Sequence, residues 1–127
     1  MTNFANAQDC SITFVIKGLK NNDGQVLISL FSSEEKFMED YSMGKVEKNL
    51  NGDQVSITYE GLQPGEYAAS AFHDENSNGK LDTNFMGIPK EAYGFSNDAR
   101  GTFGPPSYED CKFIIKSGNT VHEITLK

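Results

Sequence analysis

The chain has 127 residues, which fits one domain, and its 37% hydrophobic content with nine Phe and five Tyr is too apolar for a disordered chain. The net charge of −7 argues against nucleic acid and anionic membranes as partners, because both bind basic surfaces. No apolar run is long enough to span a bilayer. We expect one domain over residues 11–127 after a tail of residues 1–10. In that tail, Ala5-Asn6-Ala7 has the small-x-small spacing that ends a signal peptide.

The first strands are predicted from apolar and polar residues that alternate with a period of two. In residues 11–17, Ile12, Phe14 and Ile16 share one face, which predicts a half-buried strand. Asn and Gly residues at 21–24 mark a turn, and a second strand over 25–31 is apolar on both faces. A strand of that kind is expected at the centre of a sheet.

One short helix is predicted after the second strand. Ser32 and Glu35 have the spacing of a capping box, and Gly44 is a helix stop signal. Three apolar residues lie on one side of this helix, Phe37, Met38 and Tyr41. We expect them to form a lid over one end of the core rather than a binding groove.

Several further strands are predicted from the same alternation, over 45–50 at a sheet edge and over 55–60, 66–73, 110–116 and 120–126. Asn51-Gly52 is a strong hairpin turn signal, and 117–119 is expected to join the last two strands as a hairpin. The total is about seven short strands with turns at the spacing of a β-sandwich. Residues 74–107 lack a period, and long irregular loops tend to be functional.

The two cysteines, Cys10 and Cys111, each begin a predicted strand on its core side. They are either buried free thiols or one disulfide between the first strand and a late strand, and we favour the disulfide. In the chain-entropy model a bridge across about a hundred residues contributes up to roughly 4–5 kcal/mol.

A metal-binding loop is predicted over residues 74–82. The segment matches the calcium-loop pattern D-x-[DN]-x-[DN]-G at Asp74, Asn76, Asn78 and Gly79, and Asp82 fills the ninth position. Oxygen side chains spaced two apart around a glycine bend converge on a point, where a hard cation such as Ca²⁺ takes six to eight oxygens.

The predicted metal ligands are the side chains of these Asp and Asn residues and the carbonyl of Lys80. The twelfth position, usually a bidentate Glu, is Phe85. We therefore expect no helix–loop–helix calcium sensor, and water, Glu91 or Asp98 as further ligands. The alternative is an Asx-rich turn that hydrogen-bonds to its own backbone and binds nothing.

Catalytic interpretations are weaker than the metal-binding one. His73, Asp74, Asp82, Asp98 and Arg100 carry the chemistry of a hydrolytic site, but neighbours along a strand such as His73 and Asp74 point to opposite faces. We expect no catalytic residue. His122, on the face of Ile124 and Leu126, is expected at the edge of the core, and the aromatic residues of the long loop, Tyr93, Phe95, Phe103 and Tyr108, are expected to pin it to the sandwich.

The run "GLQPGEYAASAFHDENSNGKLDTNFMGIPKEAYGFSNDARGTFGPPSYEDCKF", with "GQVLISLFSSEEKF" upstream, closely resembles the bacterial family of unknown function DUF2141, and the likeness covers residues 11–126. The resemblance implies an exported or envelope-associated protein with a prealbumin-like sandwich. The family has no established activity, so no catalytic residue is carried over from it. The expected fold class is an all-β, about seven-stranded antiparallel Greek-key sandwich, prealbumin- or immunoglobulin-like, with one short helix and a long loop.

The sequence thus leads to three hypotheses. The first is a non-enzymatic exported module, located in the periplasm, the cell envelope or outside the cell, whose Ca²⁺ loop presents a surface to a protein or a glycan. The second is a hydrolase that uses carboxylates of the same loop. The third is a structural envelope domain without a ligand.

Overall fold

The computed structural model describes residues 10–102 and 104–127 of the chain. Eight strands carry the fold, and they are β1 (Cys10–Lys17), β2 (Gln25–Phe31), β3 (Gly44–Glu47), β4 (Gln54–Leu62), β5 (Gly65–Asp74), β6 (Tyr93–Phe95), β7 (Phe113–Ile115) and β8 (Gly118–Thr125). A short 3-10 turn (Ser96–Asp98) and a single-turn helix α1 (Tyr108–Cys111) complete it. The all-β class is confirmed, with one strand more than expected, because β6 lies inside the long loop.

The strands form two sheets that pack face to face. One sheet has the order β4-β1-β8, and the other has the order β3-β2-β5-β6 with β7 also paired to β5. Central β2 and edge β3 are confirmed. All pairs are antiparallel except β1 with β8, which run parallel from the Cys10–Gly118 pair to the Lys17–Thr125 pair.

The core lies between the two sheets and follows the predicted faces. Ile12, Phe14 and Ile16 of β1 are fully buried, whereas the residues between them are only half-buried. On β2, Val26 and Ile28 belong to the same core cluster, so their neighbour Leu27 faces the outside of the five-stranded sheet. That outer face carries the candidate binding surface described below.

A tyrosine stabilises the corner between β4 and β5, which has the sequence Leu62-Gln63-Pro64-Gly65-Glu66-Tyr67. The Tyr67 hydroxyl donates to the Gln63 carbonyl at 2.7 Å, and its ring is buried in the core. Leu62 ends β4 in one sheet, and Gly65 starts β5 in the other, so this corner transfers the chain between sheets.

The predicted helix after Ser32 is wrong. Turns replace it, with hydrogen bonds such as Lys36 N to the Ser33 carbonyl, and Met38 has a positive φ of 60° that interrupts any helix. Packing on the core does not need the helix, because the Phe37 ring packs edge-on against Phe31 at 5.4 Å. Met38 and Tyr41, however, also line a groove, which the prediction of a lid did not include. Four residues of true helix form elsewhere, in α1.

The two predicted hairpins are also wrong. Asn51-Gly52 lies between β3 and β4, but these strands belong to different sheets, so the segment is a connection across the sandwich. Likewise β7 pairs with β5, whereas β8 pairs with β1 in the opposite sheet. A turn signal fixes the local bend, but the burial of both flanking strands decides which neighbours they pair with.

The favoured disulfide is not present in this structure. Cys10 and Cys111 are free thiols without solvent exposure. They belong to different core clusters, and Cys111 lies in α1 rather than at the start of a strand. Ala5-Asn6-Ala7 lies outside the described residues, and β1 begins at Cys10, one residue inside the predicted tail.

Candidate functional site

The loop that follows β5 forms a tight turn, as its sequence predicts. Ser77 and Gly79 both have left-handed backbone, with φ of 56° and 79°. The amide of Ser77 donates to the Asp74 carbonyl at 3.2 Å, which closes the first bend. Gly79 adopts its φ without the steric cost that a side chain brings, and Ser77 bears that cost in the loop.

Asp74 anchors the start of this loop from inside the protein. Its side chain is fully buried, and its Oδ2 accepts hydrogen bonds from Gly79 N at 2.7 Å and from Gln25 Nε2 at 2.8 Å. Its Oδ1 accepts from Asn78 N at 3.2 Å. A carboxylate has about four acceptor positions, so two of them hold loop amides, one binds Gln25 and one is left. Gln25 was not predicted; its position opposite Asp74 in the β2–β5 register places it there.

The polar side chains on the exposed side of the loop converge on Asp82. Asn76 Nδ2 donates to Asp82 Oδ2 at 2.7 Å, and Asn78 Nδ2 donates to Asp82 Oδ1 at 2.8 Å. The Asn78 amide, followed by that of Asn76, lowers the pKa of Asp82 below its ordinary value. The fourth predicted ligand residue, Lys80, donates its N–H to Asn78 Oδ1 at 2.9 Å. The structure therefore brings all five predicted residues into one loop cluster.

Glu91 holds the loop from its far end. Its buried carboxylate accepts from Glu75 N through Oε2 at 2.8 Å and from Asp82 N through Oε1 at 3.0 Å. Glu91 was expected as a further metal ligand; in the structure its carboxylate reaches the loop and binds two backbone amides. Asp98 does not reach the loop, since its Oδ1 accepts from Thr125 N in β8.

The loop continues into a short hairpin that sequence reasoning did not predict, residues 82–90, called here the 82–90 hairpin. Lys90 N donates to the Asp82 carbonyl, and Asn84 N to the Ile88 carbonyl, each at 2.8 Å. Asn84 Oδ1 accepts from Met86 N and Ile88 N at 2.8 and 3.1 Å, which fixes the tip. The sequence signal for this turn was Asn84, because an Asx side chain can accept hydrogen bonds from the backbone of its own turn.

An apolar groove of about 390 Å³ lies beside this loop, on the outer face of the five-stranded sheet. Cross-strand pairs place Val46, Leu27, Phe72 and Tyr93 in one row over four strands, and all four line the groove. Leu81 and Gly79 of the loop form part of the groove wall. So do Met38 and Tyr41, two of the three residues predicted to form the lid. The groove was not predicted, because it depends on which strands are neighbours. The lid residues, expected to cover the core only, also border this groove.

Of the residues of the hydrolytic alternative, Asp74 and Asp82 share the loop, whereas His73, Asp98 and Arg100 make their contacts elsewhere. His73 is buried with its Nε2 2.6 Å from the Asp23 carbonyl, whereas the Asp74 carboxylate points to the opposite side of β5, into the loop. Arg100 lies over the Tyr93 ring at 5.0 Å and donates to the Tyr93 carbonyl.

His122 and the loop aromatics mostly have the predicted packing roles. The His122 ring is half-buried against Phe113 at 4.5 Å, and burial lowers the pKa of His122. Phe95 and Tyr108 are buried in the second core cluster and pin the loop. Tyr93 packs edge-on against Phe95 and also lines the groove, whereas Phe103 lies outside the described residues.

The fold and this loop define a two-sheet β-sandwich that carries an Asx-rich loop and an apolar groove on one outer face. The chain belongs to the family described as uncharacterized protein conserved in bacteria (DUF2141), whose model matches residues 14–123. No curated protein and no solved structure matches it.

Two further observations bear on membranes and metals. Over residues 10–102 and 104–127, the structure has no helix of the length and apolarity that crossing a bilayer requires. In the same residues, no group of three or more His, Cys, Asp or Glu side chains is arranged to hold a metal ion. Any cation in the loop would thus depend on Asn side chains and backbone carbonyls as well as on carboxylates.

Proposed function

We propose that this chain is an exported, non-enzymatic β-sandwich module whose 74–82 loop binds Ca²⁺. The ion stabilises the loop and the neighbouring outer face, which binds a protein or a glycan. The ligands are the side chains of Asp74, Asn76, Asn78 and Asp82 and the carbonyl of Lys80. The observation that carries the proposal is the convergence of both Asn side chains on the Asp82 carboxylate.

The geometry suggests how a cation enters this cluster. Both Asn amides now present NH₂ groups to Asp82 at 2.7 and 2.8 Å. A half-turn of each amide exchanges NH₂ for carbonyl oxygen with almost no change of shape. Two amide oxygens then face the Asp82 carboxylate, and a cation between these oxygens stabilises the arrangement. The half-turns give up the hydrogen bonds that Asn78 N and Lys80 N donate, each worth about 1 kcal/mol.

The charge of the loop favours the same ligand. Asp74, Asp82 and Glu91 all accept from amide N–H groups, and no ion pair in the described part of the chain includes any of the three. Lys90 and Lys80 lower the pKa of Asp82 electrostatically, but less than the Asn amides do. A divalent cation among these carboxylates reduces their mutual repulsion. Ca²⁺ suits the loop better than Mg²⁺, because it accepts irregular geometry and more oxygens.

Calorimetry and thermal unfolding with Ca²⁺ test the proposal, with Mg²⁺ for comparison. At a free Ca²⁺ concentration of about one hundred times the dissociation constant, binding adds about 2.7 kcal/mol to the free energy of unfolding. Asp82→Ala is expected to abolish this stabilisation. Glu60→Ala, which removes an exposed carboxylate from β4, is the matched control and is expected to retain it. Absence of both heat and a thermal shift at millimolar Ca²⁺ contradicts the proposal.

One observation favours a second candidate, the structural domain without a ligand. The loop is already closed by its own hydrogen bonds, and no buried side-chain N or O atom in the described residues lacks a partner. A turn of this kind is stable without an ion. If the second candidate is right, chelator has no effect on the unfolding temperature, and Asp82→Ala leaves that insensitivity unchanged.

A further inference from the structure

The tip of the 82–90 hairpin exposes three large apolar side chains. Phe85 is 97% exposed, Met86 68% and Ile88 54%. The hydrogen bonds at Asn84 fix the backbone below them, so the side chains are presented from an ordered turn. Burial of such a tip against a partner needs little further ordering of the backbone, which lowers the entropic cost of association.

The groove lies directly beside this hairpin. Leu81 lines the groove, and Asp82, the next residue, begins the hairpin. One face of the molecule therefore holds a projecting apolar tip and a concave apolar surface side by side. Two copies related by a two-fold axis through this face can satisfy both features at once, because an isologous contact uses the same patch on each copy.

We propose that this chain forms a symmetric dimer in which the hairpin tip of each copy, Phe85 and Met86, inserts into the groove of the other. A second copy of the chain is then the protein that binds the outer face, so this inference narrows the proposed function. It does not depend on the Ca²⁺ loop being occupied, because the hairpin is held by hydrogen bonds within the chain. Its failure and that of the proposed function are therefore distinguishable.

The two surfaces are large enough for a weak dimer. The three exposed tip side chains offer roughly 400 Å² of apolar surface, since an aromatic side chain alone buries about 150–250 Å². With the groove that each copy contributes, the patch stays below the roughly 800 Å² per partner of a standard interface, as in transient contacts. The groove volume of about 390 Å³ has room for a Phe and a Met side chain together.

Charges of both signs lie near the rim. Lys80 and Lys90 flank the hairpin, Lys45 lines the groove, and Glu39 and Asp40 lie in sequence between the groove residues Met38 and Tyr41. Insertion of one hairpin into the partner's groove permits these opposite charges to approach at the rim. Such pairs add orientation more than affinity. The net charge of −7 on each copy opposes association, so we expect the dimer to be tighter as salt increases.

Sedimentation equilibrium of the full chain from roughly 1 µM to 1 mM tests the proposal, in EDTA and separately with Ca²⁺. We expect the mass to rise from 14.0 kDa to twice that value in both buffers. Phe85→Glu removes the tip, and Val46→Glu places a charge at the edge of the groove. Each is expected to weaken the dimer more than a hundredfold, because both symmetric contacts are lost.

A matched control is available on the opposite sheet. Val121 of β8 is 61% exposed, close to the 48% of Val46, and Val121→Glu is expected to dimerise like the parent chain. An equimolar mixture of Phe85→Glu and Val46→Glu offers a sharper test. The Val46→Glu copy supplies an intact tip, and the Phe85→Glu copy supplies an intact groove. The mixture is expected to form a heterodimer through one contact, although neither variant self-associates.

A parent chain that stays at 14.0 kDa to millimolar concentration in both buffers overturns the proposal. So does a dimer that Phe85→Glu and Val46→Glu leave intact. If the monomer instead binds phosphatidylcholine vesicles and Phe85→Glu abolishes that binding, the tip inserts into lipid and the dimer is wrong. Circular dichroism of each variant checks folding, and the exposure of the three substituted side chains makes unfolding an unexpected outcome.

Discussion

Replacement of Glu91 by Gln isolates the contribution of one carboxylate to the loop. Its two oxygens accept from Glu75 N at 2.8 Å and from Asp82 N at 3.0 Å, on opposite ends of the loop. Gln has nearly the same shape but only one acceptor. In Glu91→Gln, one backbone N–H therefore faces an NH₂ group, two donors without an acceptor between them.

The magnitude follows from these contacts. A hydrogen bond to a charged group contributes about 1.5–3 kcal/mol, and a buried N–H left without a partner costs about 1–3 kcal/mol. Loss of a negative charge near Asp82 and Glu75 returns at most about 1 kcal/mol by relieving repulsion. The net expectation for Glu91→Gln is a loss of about 2 kcal/mol in the free energy of unfolding, which corresponds to about 8 °C in Tm for a domain of this size.

Urea unfolding in EDTA measures this loss without any contribution from metal ions, and hydrogen exchange measures its location. The amides of Glu75 and Asp82 are expected to exchange faster in Glu91→Gln. The control is Glu123→Gln, which removes an exposed ion pair with Lys17 and should cost less than about 1 kcal/mol. If Glu91→Gln is as stable as Glu123→Gln and the two amides keep their protection, Glu91 does not hold the loop.

Three further predictions concern buried groups away from the loop. Burial lowers the pKa of His122 in the folded chain, so the unfolded state takes up a proton first and the free energy of unfolding falls as pH drops below about 6.5. Urea unfolding at several pH values should show a smaller fall in His122→Phe, and an equal fall contradicts the assignment. Burial raises the pKa of Cys111 to about 11, and Cys10 is fully buried too. A thiol reagent at pH 8 should therefore label neither cysteine until the chain unfolds, and an unfolded chain without reactive thiols would show a disulfide instead. Ser96→Ala should lower the free energy of unfolding by about 2–3 kcal/mol, because the buried Ser96 hydroxyl accepts from one backbone N–H and donates toward two carbonyls. Ser56→Ala, on the exposed face of β4, should have no effect in the same unfolding assay.

The loop shows how far local patterns predict a site. The spacing predicted that the side chains of Asp74, Asn76, Asn78 and Asp82 meet. In the structure the two Asn side chains meet the Asp82 carboxylate, whereas the Asp74 carboxylate binds backbone N–H groups of the loop. It did not predict that Asn76 and Asn78 present NH₂ groups to Asp82. Nor did it decide that Glu91, nine residues beyond Asp82, would bind backbone amides rather than an ion. Ligand geometry depends on rotations about side-chain bonds, which spacing leaves free.

The amino-acid sequence by itself determined which residues of β1 are buried, because alternate side chains of a strand point to opposite faces whatever the strand pairs with. Ile12, Phe14 and Ile16 were assigned to one buried face in this way. Only the tertiary structure decided the parallel pairing of β1 with β8 and the separation of β7 from β8 into different sheets. The groove also depends on the tertiary structure, because the row of side chains that lines it comes from four strands far apart in the chain. Pairing between strands depends on the burial of all of them together, and no short stretch of sequence contains that information.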